Sequence, residues 1–207
     1  MKNVLVLMHD DAGQEARFQA ALDLTRALGG HLTCLDVSIL PVVMGDYAVL
    51  GGEALLLAGE EAREGDNRTR MEARLTHEDV AFDWIDVTGD LSHSLRDAAV
   101  MSDIIVLNRA LGSTHYPDMA HVVGDVVTVS DKPVLAVPEE ARALDVFGHA
   151  VIAWNGSPTS VAALRAALPL LTHASKVDDP RGSTTAASSS RRPTPPNISR
   201  ATGSSRS

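Results

Sequence analysis

The sequence predicts a doubly wound parallel α/β sandwich. Short apolar runs alternate with helical patterns along most of its 207 residues. The runs Val4–Met8, Asp103–Leu107 and Pro133–Val137 are continuously apolar or nearly so, as suits strands covered on both faces. One opening phrase is also used twice. Residues 3–28 and residues 149–171 each read as an apolar run, a polar turn with Asp or Asn, and an Ala/Leu-rich helix. Strands alternating with helices call for crossover connections and a mainly parallel sheet.

Each element is read in order from its residues. Val4–Met8 is the first strand. Asp10 or Asp11 can cap the helix that follows, in which Phe18, Ala21, Leu22, Thr25 and Leu28 fall at helical spacing. Gly29-Gly30 ends that helix. Leu32–Leu40 is the second strand, closed by Pro41, and residues 42–53 form a loop. Ala54 to about Thr76 reads as a helix that Gly59 and Gly65 weaken. Phe82–Val87 is the third strand and Gly89-Asp90 turns it. Leu91–Met101 is a short helix, and Asp103–Leu107 is the fourth strand. Residues 108–119 are irregular, Ala120–Val129 is a helix, and Pro133–Val137 is the fifth strand, ended by Pro138.

Residues 1–138 therefore form one domain and 139–148 a linker. Residues 149–173 open a second, incomplete copy: a strand at Ala150–Trp154, then a helix capped by Ser157 with Pro158 at its first position. Pro169 kinks or stops that helix. Residues 174–207 read as a disordered tail, because from Pro180 onward Ile198 is the only large apolar residue and ordering would go uncompensated.

Composition narrows the function. Hydrophobic residues make up 44 % of the chain and aromatics 3 %, so the core is aliphatic. The formal charge is −9, and because residues 174–207 are net basic the remainder stands at −13. An acidic body argues against nucleic acid as a partner. No apolar run reaches the ~20 residues needed to span a bilayer, and no leader is evident, so the cytoplasm is the expected location. The single cysteine, Cys34, excludes an internal disulfide and reads as a buried inert thiol.

Signatures of chemistry are mostly missing. The chain has no phosphate loop of the G-x-x-x-x-G-K-[ST] type, no G-x-G-x-x-G after the first strand, no G-x-S-x-G and no H-E-x-x-H. Its eight histidines are scattered, and no metal ligand set is predicted. His9 lies at the carboxyl end of the first strand, where open α/β sheets bind ligands; it reads as a solvated turn histidine or as a ligand-facing one. Asp10 reads as a helix cap or as an acceptor for an adenine or ribose.

The Asp-containing opening, the DIIVL strand and the KPVLAVP strand, in that order, resemble the universal stress protein family. AWNGSPTSVAALRAALPLL resembles the start of the second half of its tandem bacterial members. The resemblance implies a sheet ordered 3-2-1-4-5 and pairing through fifth strands, hence a homodimer through residues 133–138. It also implies ATP or another adenine nucleotide as the ligand of many members. The family's nucleotide motif, G-x2-G-x9-G-[ST] after the fourth strand, is degenerate here. Counted back from Lys132-Pro133, the Gly-Ser pair falls on Ala120-His121 and the first glycine on Asn108. The second falls on or beside Leu111, and Gly112 replaces it only with a one-residue slip. Side chains at these positions crowd the phosphates, which glycines would let approach. The adenine end keeps Asp10 and Val37.

The resulting expectation is a non-catalytic stress-response protein with no cofactor. An adenine-nucleotide sensor or weak ATPase and a dimerising interaction module are the alternatives. The tail matches no part of the family. Its Ser/Arg/Pro/Thr bias fits an out-of-frame end of a second domain, the alternative being a native disordered tail.

Overall fold

The computed structural model describes residues 1–39, 52–110, 118–179 and 183–185. Its elements, in chain order, are β1 (Asn3–Leu7), α1 (Gln14–Leu28), β2 (His31–Ile39), α2 (Gly52–Leu75), β3 (Ala81–Gly89), α3 (Leu91–Ala99), β4 (Ile104–Asn108), α4 (Met119–Ser130) and β5 (Val134–Val137). After these come β6 (His149–Val151), α5 (Pro158–Leu171), β7 (Lys176–Asp179) and β8 (Ser183–Thr185).

The first five strands form one parallel sheet in the order β3-β2-β1-β4-β5. Alternation along β1 divides its side chains between two cores. Val4, Val6 and Met8 join Phe18, Leu22 and Leu24 of α1 and Met71 and Leu75 of α2. Leu5 and Leu7 join Leu91 and Leu95 of α3 and Val122 and Val126 of α4. Each fully buried side chain of this size contributes about 1.5–3 kcal/mol, so both faces of the sheet are strongly specified. Cys34 lies wholly inside the first core, where burial pushes its thiol far up.

Helix ends follow side-chain chemistry, with one correction. Neither Asp10 nor Asp11 is the N-cap of α1; that position is Gly13, and no side chain caps it. Asp11 instead accepts the Gly13 N–H at 2.7 Å, a local turn that sets the helix start two residues later. Asp90, Asp118 and Ser157 cap α3, α4 and α5 with their side-chain oxygens. Gly29 closes α1 in the left-handed conformation at φ 55°. Gly59 and Gly65 do not interrupt α2, because burial of Met71, Leu75 and Asn67 along it outweighs their poor propensity. The predicted limits of the second strand at Leu40 and Pro41 lie outside the described residues.

The second copy goes further than the sequence indicated. β6 pairs in parallel with β7 across α5, repeating the β1-α1-β2 arrangement, and β8 adds antiparallel to β7. The start of the expected tail is thus strand; most of the remainder lies outside the described residues. β7 reads Lys-Val-Asp-Asp, so hydrophobicity gave no signal for it. His149 and Lys176 both bond Asp178 at 2.8 Å and supply part of what apolar packing does not. β6 is shorter than expected and ends at Val151, although the Ile152 N–H still reaches Asp178. Pro169 does not stop α5, which runs on to Leu171. The segment 139–148 straps across the first domain. Ala141, Leu144 and Val146 pack on the α1 side of the core with Leu170 of α5, and Asp23 accepts the Leu144 N–H at 2.9 Å.

Candidate functional site

The strand order reverses direction between β1 and β4, and open α/β sheets bind ligands outside the carboxyl ends of strands at such a point. Here that crevice is occupied by the chain itself. Arg17 rises from the first turn of α1 and is completely buried. Its Nε donates to the Leu7 carbonyl at 2.8 Å and one terminal nitrogen donates to the His9 carbonyl at 2.9 Å. Both terminal nitrogens engage the Asp11 carboxylate at 2.9 Å. The guanidinium also donates to the side-chain oxygen of Asn108, whose amide nitrogen reaches the Val137 carbonyl at 3.3 Å. One cation therefore joins β1, α1 and β4 with its charge paired and its donors used.

The predicted site residues disperse around this plug. Asn108 ends β4 fully buried. Asp10 stays part-exposed after β1 and pairs with Arg70 of α2 at 2.9 Å. Val37 is buried in the α3 side of the core, and its carbonyl accepts from His9. Ala120 and His121 occupy the first turn of α4 and face solvent, where His121 pairs with Asp125 of its own helix at 3.3 Å. Gly112 and Leu111 lie outside the described residues.

Beside the plug lies a second polar group that sequence reasoning missed. His9 is not a solvated turn residue: it is 1 % exposed. Its Nδ1 faces Glu64 Oε1 at 2.8 Å and the Val37 carbonyl at 3.2 Å. Glu64 of α2 also accepts from the Asp10 N–H and from Asn67, and pairs with Arg63 at 3.1 Å. Burial opposes its ionisation, but the hydrogen bond from His9 and the nearby charges hold its carboxyl below the usual range. Asp36 of β2 faces the same group. Burial first, then the Glu64 carboxylate and Asp86, push its carboxyl up to about 9. Two carboxylates so placed do not ionise independently. The three residues come from β2, α2 and the end of β1, far apart in sequence. The one available signal was the polar residue Asp36 inside an apolar strand.

No family model matches the chain, and no curated protein matches it. Solved structures do. The universal stress protein UspA from Lactobacillus plantarum superposes with a TM-score of 0.56 at 20 % identity, over 66 % of this chain and 97 % of that one. A universal stress protein from Archaeoglobus fulgidus superposes with a TM-score of 0.57 at 14 % identity, over 79 % of this chain and 59 % of that one. The chain therefore has the fold of universal stress proteins, a five-stranded parallel α/β sandwich in the order 3-2-1-4-5. Among the described residues no helix is long and apolar enough to cross a membrane.

Proposed function

We propose that this chain is a non-catalytic stress-response protein of the universal stress type whose nucleotide crevice is filled from within. The observation that carries the reading is the Arg17 plug. A nucleotide approaching the β1–β4 crevice would have to displace a buried guanidinium from Asp11 and Asn108. Loss of phosphate hydrogen bonds at Asn108 and Ala120, each about 1.5–3 kcal/mol for a charged partner, weakens any residual affinity. The polar groups of the crevice are engaged with each other, which favours a structural role for them over a catalytic one. The β6-α5-β7 unit supports a tandem plan, and β5 as the sheet's edge supports a homodimer through residues 133–138. A cytoplasmic location fits this reading.

Calorimetry of the full chain against ATP, ADP, AMP and cyclic AMP tests it. Dissociation constants no tighter than millimolar are expected, and a low-micromolar value for any of the four would overturn the reading. An adenine-nucleotide sensor is the second reading, favoured by Asp10, which remains part-exposed with a surface partner that a ligand can displace. Under that reading Arg70→Ala raises affinity for AMP.

A further inference from the structure

We propose that His9, Asp36 and Glu64 together hold one divalent transition cation, of the Zn²⁺ or Mn²⁺ class, beneath the carboxyl edge of β1 and β2. One donor atom from each residue lies within 4.8 Å of the others. The three residues are 1 %, 2 % and 4 % exposed. Among the described residues both carboxylate oxygens of Asp36 are buried without a well-formed hydrogen bond from a protein donor, its polar contacts being the Glu64 carboxyl and the Val37 N–H. An ionisable group taken from water without a partner is costly enough that such groups are ordinarily paired, neutralised or bound to metal.

The donor set suits a transition ion. Two carboxylates balance a dication, and an imidazole nitrogen favours Zn²⁺ or Mn²⁺ over Mg²⁺ and Ca²⁺, which prefer oxygen throughout. The supporting shell is in place. His9 Nδ1 gives up the proton it shares with the Val37 carbonyl and Glu64 when it takes the ion, while Glu64 is oriented by the Asp10 N–H, Asn67 and Arg63. Such partners fix the orientation of metal ligands. Asp36 is held only by its contacts with Glu64 and the Val37 N–H, so it is the ligand able to move inward to the ~2.0–2.2 Å bonds that Zn²⁺ makes with carboxylates. Glu60, part-exposed and 3.9 Å from His9 Nε2, places a further carboxylate on the outer side of the imidazole. The competing occupant is a proton held between Asp36 and Glu64. The inference does not depend on the nucleotide reading, since the Arg17 plug involves none of these three side chains.

The test uses the full chain stripped with a chelator and titrated calorimetrically with Zn²⁺, Mn²⁺ and, as control, Mg²⁺. One transition ion per chain at micromolar affinity or better is expected, with Mg²⁺ far weaker. Asp36→Asn keeps the shape, can still donate to Glu64 and is expected to weaken binding at least tenfold (a loss of about that size is typical even for a ligand's supporting partners). Asp79→Asn, at the surface and paired with Arg26, is expected to leave it unchanged. Six other histidines among the described residues are at least part-exposed and can also bind Zn²⁺. Equal binding by Asp36→Asn, or no binding by the unsubstituted chain, would assign the pair to a proton and overturn the proposal. If the variant fails to fold, imidazole nitrogen spectra of the unsubstituted chain decide. Zn²⁺ shifting His9 before the exposed histidines supports the site, and the reverse order overturns it.

Discussion

Asn108, the last residue of β4, accepts a hydrogen bond from the buried guanidinium of Arg17. Open α/β sheets take ligands where the strand order reverses, here between β1 and β4, and this bond spans that point from inside. It also makes Asn108 part of the stability of the domain.

Replacing Arg17 with Met should lower stability by about 3–5 kcal/mol, the usual loss when one partner of a buried ion pair is removed. Asp11 would be left without its buried cation, and the Leu7 and His9 carbonyls without their donors. Urea unfolding measures the change. A loss below about 1 kcal/mol would mean that the plug is not structural.

Gly13→Ala should destabilise by about 1–3 kcal/mol, as overpacking does, because a Cβ there collides with the Asn108 side chain. The same change in an Asn108→Gly background should be milder. A double-mutant cycle tests this, and additive losses would contradict the contact.

Asp103 ties the start of β1 to the start of β4 by accepting the Lys2 and Asn3 N–H groups at 2.7 and 2.9 Å. The Asn3 and then the Lys2 N–H hold its carboxyl below the usual range. The unfolded chain therefore binds this proton more readily than the native one. Its stabilisation is full above the unfolded value near ~4 and disappears as pH falls through the native value. Asp103→Asn should cost about 1 kcal/mol near neutrality and less at acid pH. Urea midpoints for both proteins on either side of pH 4 measure the difference, and a gap that widens in acid would refute the assignment.

If copies pair through β5, its outward backbone groups should matter. Pro133 and Val137 turn their carbonyls to β4, so Ala136 between them turns its N–H to the open edge. Ala136→Pro removes that donor at a position where an edge strand tolerates proline. It should shift the chain toward monomer at tens of micromolar, as read by light scattering. Leu135→Lys, which the sequence alone suggests, is a poorer probe, since Leu135 packs against the core. An unsubstituted chain that is already monomeric would refute edge pairing.

The sequence by itself determined the layered architecture. Val4–Met8 and Ile104–Leu107 are apolar at every position, and only a strand covered on both faces needs that. Capping chemistry at Ser157 and the left-handed turn at Gly29 were legible for the same local reason. The sheet order came only through a family likeness, which the structure bears out. Tertiary structure alone decided the rest. β7 is polar and is a strand because β6 and α5 hold it in register. Arg17 carries no mark in the helical pattern of α1 that sets it apart, and its burial makes it the plug. His9, Asp36 and Glu64 are separated by 27 and 28 residues, and only the packing of α2 against β1 and β2 brings them together. Periodicity reports which face of an element is buried. It does not report which polar side chains from different elements share that burial, because that depends on contacts between segments with no local sequence signature.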